Sequence, residues 1–228
     1  MVVSSVVGDY SSSVDRIRTQ QLNEYASLVA TKWILERFRF VNRFWQCLLI
    51  SSLLLACWLG MQQVHELGHV LGALATGAKV ERVLLHPLSI SRTDLSHNPA
   101  PLVVVWCGPI VGVMAPVLLW QIAAWVRFPM TYTLRFFAAF CLVTNGLYIS
   151  IGSLAQIGDC GEMLRHGSSM WQLGLFGLVT VPLGFWLWNG EGERFGLSQQ
   201  ARSVARSHAL VMLLTAIVLL LLGLVFRG

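Results

Sequence analysis

Charge is what this sequence is short of. Asp, Glu, Lys and Arg make up 12% of its 228 residues, against roughly 25% in an ordinary soluble chain. The charge present is clustered, which leaves long uncharged stretches. At roughly 20 apolar residues per crossing, these exclude a conventional soluble domain and demand several membrane spans. A basic patch interleaved with aromatics is also lacking, so the formal net charge of +5 does not read as nucleic-acid binding. The basic residues instead flank hydrophobic segments, as they do at the cytoplasmic margins of spans. The cysteines lack the spacing of a zinc ribbon or redox pair. Cys47, Cys57, Cys107 and Cys141 fall in hydrophobic stretches, and Cys160 in a polar one. Residues 1–38 are too polar for a signal peptide, so the anchors are expected to be internal and retained. There is no internal repeat and no separate soluble domain.

What is there reads as an all-α, polytopic helical bundle with about five or six transmembrane segments. A polar and amphipathic region covers 1–43, a membrane core 44–170, and C-terminal transmembrane helices 171–228. Residues 1–15 show no clear periodicity and are expected to be loosely ordered. From Val14 to about Arg43, apolar residues at helical spacing alternate with Arg16, Arg18, Lys32, Arg37, Arg39 and Arg43. That pattern suits a helix lying on the membrane surface or packed on the core. Residues 44–76 would make about 50 Å of helix, too long for a perpendicular crossing. The stretch is therefore either one tilted helix or two helices broken near Gly60. Residues 77–99 are polar, and Val80, Val83, Leu85, Leu88 and Ile90 within them suit a short strand or hairpin at the membrane edge. Spans are expected at about 101–126, 134–158, 171–188 and 208–226, with a polar turn at 159–170. If 44–76 crosses once, the basic residues of 1–43 share a side with Arg127, Arg135, Arg194, Arg202 and Arg206. Lys79, Arg82, Arg92, Arg165 and Arg227 lie opposite. The positive-inside rule then puts the N-terminus in the cytoplasm; a break at Gly60 gives an equally lopsided distribution, so charge leaves the face of the site open.

The chemistry is carried by His65-Glu66-Leu67-Gly68-His69. On a helix, positions i and i+4 share a face, so two imidazoles can bind one Zn²⁺. Glu66 can then reach a water beside the ion and act as general base. Three ionisable groups in five residues of a hydrophobic stretch are costly, which marks function. The structural alternative is a pair of histidines hydrogen-bonded to neighbouring helices. A catalytic zinc needs a third protein ligand. The candidates are Asp159, Glu162, His166, His86, His97, Asp94 and Cys160. Asp159 is the best of them, a lone carboxylate ending the third span between glycines that allow close backbone approach. Gly108-Pro109 and Gly112 suit close helix packing. Asn145, near mid-span, suits a hydrogen bond to a substrate carbonyl or oxyanion, or to a neighbouring helix. Gln62 and Gln63 are candidates for hydrating an otherwise dry site.

These elements together resemble the site-2 protease family of intramembrane zinc metalloproteases, in a minimal, divergent form, over roughly residues 50–165. The resemblance implies a three-helix metalloprotease core with zinc held by His65, His69 and Asp159. It implies Glu66 as base, Asn145 as the family's Asn, and a substrate that is a transmembrane segment of another membrane protein. The sequence departs from the family's Asn-x-x-Pro…Asp-Gly run, since no Pro follows Asn145 and Cys160-Gly161 follow Asp159. The expected setting is a multi-pass protein of a bacterial-type inner membrane, with the bilayer and a membrane-protein substrate as its partners. Two rival readings are a catalytically inactive metal-binding scaffold and a metal-ion transporter. Transport would favour further ionisable groups along 171–188 and 208–226, where only His208 occurs.

Overall fold

The computed structural model describes the backbone of residues 3–87, 91–197 and 203–226, with the side chains from Lys32 onward other than 34, 35, 38 and 39. The elements run α1 (Val3–Thr76), β1 (Lys79–Leu84), β2 (Arg92–His97), α2 (Pro101–Trp125), α3 (Thr131–Ala155), α4 (Gly158–Arg165), α5 (Met170–Trp188), a 3₁₀ turn (Glu191–Glu193) and α6 (Arg206–Val225). Among the described residues, five helices are long and apolar enough to cross a membrane: Phe40–Thr76 within α1, then α2, α3, α5 and α6. Leu118, Ile122, Trp125, Leu178, Trp186, Leu214 and Leu221 are all about half exposed or more. So much exposed apolar surface is rare on soluble proteins and suits contact with lipid.

The chain forms two compact units, Met1–Trp45 and Gln46–Gly228. The first is helical along its described backbone, including the start where loose order was expected. In it Arg37 lies 5.3 Å over the Trp33 ring, a cation–π contact. The amphipathic pattern from Val14 rests mostly on side chains outside the described residues.

In the second unit, α1 runs unbroken through Gly60, so the stretch 44–76 is one helix. Gly60 serves packing: a side chain there would meet the Phe137 ring at 3.2 Å and Leu219 at 3.6 Å. α2 starts with Pro at its first turn, where the missing N–H costs nothing. The contact between α3 and α5 is made through glycine. A Cβ on Gly177 would stand 2.8 Å from the Gly146 carbonyl, and one on Gly184 would stand 2.9 Å from the Ala139 carbonyl. Without side chains in the way the two backbones touch, the way helices associate where lipid removes the hydrophobic drive. Ser169 and Gln172 form a capping box that starts α5 sharply.

Residues 77–99 form an antiparallel hairpin with Val80 opposite Leu95 and Val83 opposite Thr93. This is the hairpin expected at 77–99, a small sheet beside an otherwise helical architecture. Leu88 and Ile90 lie outside the described residues. Val80 and Leu95 pack on Ala73, Ala78 and Val104, where α1 ends and α2 begins. Beyond β1, Leu85 N–H donates to the Phe226 carbonyl (2.9 Å), and the Trp58 indole donates to the Pro87 carbonyl (3.0 Å). The hairpin therefore folds back along α1 from its end towards Trp58. The third span ends at Ala155, and the expected polar turn at 159–170 is largely α4.

Candidate metal centre

His65, Glu66 and His69 lie on α1 about ten residues before its end, or about 15 Å along the axis. All three are buried, at 7%, 3% and 7% exposure. Burying imidazoles is tolerable only if their nitrogens find partners, and each does. His65 Nδ1 donates to Asn145 Oδ1 at 2.7 Å, and His69 Nδ1 donates to the Val104 carbonyl at 3.0 Å. These acceptors set the tautomer, since the proton of a neutral imidazole sits on the nitrogen that faces an acceptor. The Nε2 lone pairs are left to converge. The two Nε2 atoms are 3.1 Å apart. Asp159 Oδ2 lies 2.8 Å from that of His65 and 3.4 Å from that of His69. Three donors at about 2.1 Å from one tetrahedral ion would stand about 3.4 Å apart. Two lone pairs and a carboxylate oxygen facing one point repel each other, and a cation held among them removes the repulsion. The donor set and its spacing fit a metal ion, and His65, His69 and Asp159 are the residues able to hold it.

α2 makes room for this through its small residues. A Cβ on Gly108 would fall on the His69 ring, and one on Gly112 would come 3.0 Å from Asn145 Oδ1. On α1, a side chain on Gly72 would meet Cys107 Sγ at 2.8 Å. The Gly108-Pro109…Gly112 run thus acts through packing, Gly108 against His69 of α1 and Gly112 against Asn145 of α3.

Asp159 reaches the site from the first turn of α4, after a tight junction. Gln156 is left-handed (φ 53°), and Gly158 has φ 58°. A Cβ on Gly158 would stand 2.5 Å from the Tyr148 hydroxyl, so glycine is required there on both counts. Burial alone would raise the Asp159 carboxyl. When His65 and His69 also carry a proton on Nε2, their hydrogen bonds and charge outweigh burial and hold the group well below the usual carboxylate range; a cation among the three groups takes the place of those protons. Cys160 turns the other way. It is fully buried with Ile149, Met163 and Leu173, and its thiol donates to the Tyr148 carbonyl at 3.3 Å. Burial, with the charge of Asp159 added, pushes that thiol up to about 11.

Glu66 does not join the ligands. Its Oε1 accepts from Ser91 (2.8 Å) and its Oε2 from Thr93 (2.7 Å), both on the hairpin. A cavity of about 800 Å³ opens over the cluster, lined by Gln62, Glu66, Thr93, Leu95, Thr144, Tyr148 and Glu162 among others. Gln62 reaches it; Gln63 faces away and donates to the Leu219 carbonyl on α6. Of the other ligand candidates, Glu162 and His166 stand at the mouth and pair with each other. Asp94 pairs with Arg82 and Arg92, and His97 ends β2 opposite Lys79.

Asn145 holds His65 through its Oδ1, and its Nδ2 donates to Cys141 O of its own helix at 2.9 Å. Of the two roles open to it, the structure displays the interhelical bond. Sequence reasoning missed Ser91, Thr93 and Tyr148. For Tyr148 a signal existed, because it lies three residues after Asn145 on the same helical face. For the two hydroxyls there was none, since nothing local marks which Ser or Thr of a polar hairpin will meet a carboxylate.

Compared with protein-family profiles, with curated proteins and with solved structures, the chain finds no match in any of the three. Its function must be argued from the chemistry of this cluster.

Proposed function

We propose that this protein is a zinc-dependent endopeptidase that hydrolyses peptide bonds in or near transmembrane segments of other membrane proteins. The observation that carries the reading is the convergence of two imidazole Nε2 atoms and one carboxylate oxygen, with a fourth ionisable group, Glu66, beside them but outside the set. Two His and one Asp form a borderline-hard donor set that suits zinc, and three protein ligands leave a coordination position open, as in catalytic rather than structural zinc sites. Zinc, when bound, supplies Lewis acidity and makes a neutral-pH nucleophile of water.

The remaining work belongs to the chain. Asn145 and the Val104 carbonyl hold the imidazoles in the ligating tautomer. Ser91 and Thr93 fix both oxygens of Glu66, and each oxygen keeps a lone pair for a proton. Glu66 takes a proton from the attacking water and passes it to the leaving amine. The cavity admits a substrate segment whose helix has locally unwound, because an intact helix hides its carbonyls.

The test is purified protein with metal analysis and a model transmembrane substrate, comparing wild type with Glu66→Gln. About one zinc per chain in both forms is expected, with cleavage lowered at least 100-fold in the variant. Equal cleavage would remove Glu66 as base. Zinc absent from the wild type would end the mechanism. Zinc bound with no cleavage by either form would favour the scaffold.

A further inference from the structure

Peptide hydrolysis places negative charge on the former carbonyl oxygen, and a donor aimed at that oxygen is the largest single aid an enzyme can give. Most donors around the cavity are already engaged. Ser91 and Thr93 donate to Glu66, Thr144 donates to the Phe140 carbonyl of its own helix, and Trp58 donates to Pro87. Asn145, 1% exposed, turns its nitrogen to Cys141, and Gln62 has partners of its own. At the mouth, Arg92 and His166 face Asp94 and Glu162.

Tyr148 differs. The first N–H groups of a helix have no partner within it, and the Asp159 N–H in the first turn of α4 donates to the Tyr148 hydroxyl oxygen at 3.2 Å. The phenol is the acceptor in that bond, so its own hydrogen remains to be given elsewhere. The side chain lines the cavity. Its ring packs edge-on against His65 with centroids 6.0 Å apart, and its oxygen touches the backbone of the residue whose carboxylate meets both histidines. The hydroxyl thus borders the space into which the three ligand atoms point.

We propose that Tyr148 is a catalytic residue whose hydroxyl donates a hydrogen bond to the scissile carbonyl oxygen as charge develops on it. The assignment rests on the protease reading above. Water adds to the carbonyl carbon, the C–N bond breaks, and the transferred proton travels through Glu66. Tyr148 keeps its own proton throughout and lends only the hydrogen bond.

The test is Tyr148→Phe in the full-length, zinc-loaded protein. The expected result is a kcat about 100-fold lower with KM within about threefold, and zinc affinity unchanged. A purely structural role, holding Asp159 through its N–H, would lower zinc affinity and let excess zinc restore the rate; that result overturns the assignment, as does an unchanged kcat. A second measurement uses a phosphinate peptide, whose anionic tetrahedral centre imitates the charged oxygen. Tyr148→Phe should weaken its binding about 100-fold, while Glu66→Gln changes it little. A wild type that cleaves, with the phosphinate bound equally by wild type and Tyr148→Phe, removes Tyr148 alone. Wild type that does neither removes the protease reading, and this assignment with it.

Discussion

A buried histidine is informative only when both of its nitrogens are accounted for. In His65 and His69 the Nδ1 bonds to Asn145 and Val104 decide what Nε2 can do. Asn145→Ala should therefore lower zinc affinity by about 10- to 100-fold, the usual effect of removing a partner behind a ligand, with the helices intact; competition with a chelator measures it. The two neighbours on α4 give a sharper contrast. Asp159→Ala should abolish stoichiometric zinc, whereas Cys160→Ala should keep it, since that thiol points into the core at 0% exposure; metal analysis of the purified variants decides between them, and a Cys160→Ala protein without zinc would make the thiol a ligand. The histidines and Asp159 were legible in the sequence because charge inside an apolar stretch is costly enough to stand out. The engagement of Asn145 was not, since a mid-span amide has several possible partners and only the packed helices choose among them.

The elements divide the labour. On the proposed reading α1 carries two ligands and the base, α4 the third ligand, and α2 and α3 the groups behind them, while the hairpin holds Glu66. Removing both hairpin hydroxyls, as in Ser91→Ala with Thr93→Val, should lower turnover about tenfold or more, the scale of a lost bond to a charged group. Zinc content should not change, and Thr93→Ser should recover much of the rate. Turnover unaffected by the double change would show that Glu66 is held by its own helix alone. At this scale the sequence was legible in its long apolar helices and in the hairpin. It did not disclose α4, because eight residues rich in glycine and charge carry the signature of a turn. Nor did it decide between one helix and two at Gly60. A glycine that receives a neighbour's ring and one that breaks a helix look alike until Phe137 is in place.

For the whole molecule, the continuity of α1 gives the topology a definite order. With α1 crossing once, the hairpin and α4 share one side of the membrane, and the turns at 126–130 and 189–205 share the other. Counted with the basic residues of 1–43, which precede the first crossing, the latter side has the excess of Lys and Arg, and the positive-inside rule predicts that it is cytoplasmic. The mouth of the cavity should then open on the opposite face. In intact cells, a membrane-impermeant maleimide should label Ser96→Cys on the hairpin and spare Glu193→Cys in the α5–α6 loop; the reverse pattern would invert the orientation. The candidate ligands His69 and Asp159 stand 90 residues apart, on α1 and α4. During synthesis, α1 must enter the bilayer with His65, Glu66 and His69 before the chain that contains Asn145, Tyr148 and Asp159 has emerged. The site has no precursor in any shorter product, so whatever ion it takes is taken late, after insertion of the third span. A chain truncated before α4 should insert as a metal-free protein, with Asn145 and Val104 in place behind the histidines but Asp159 missing.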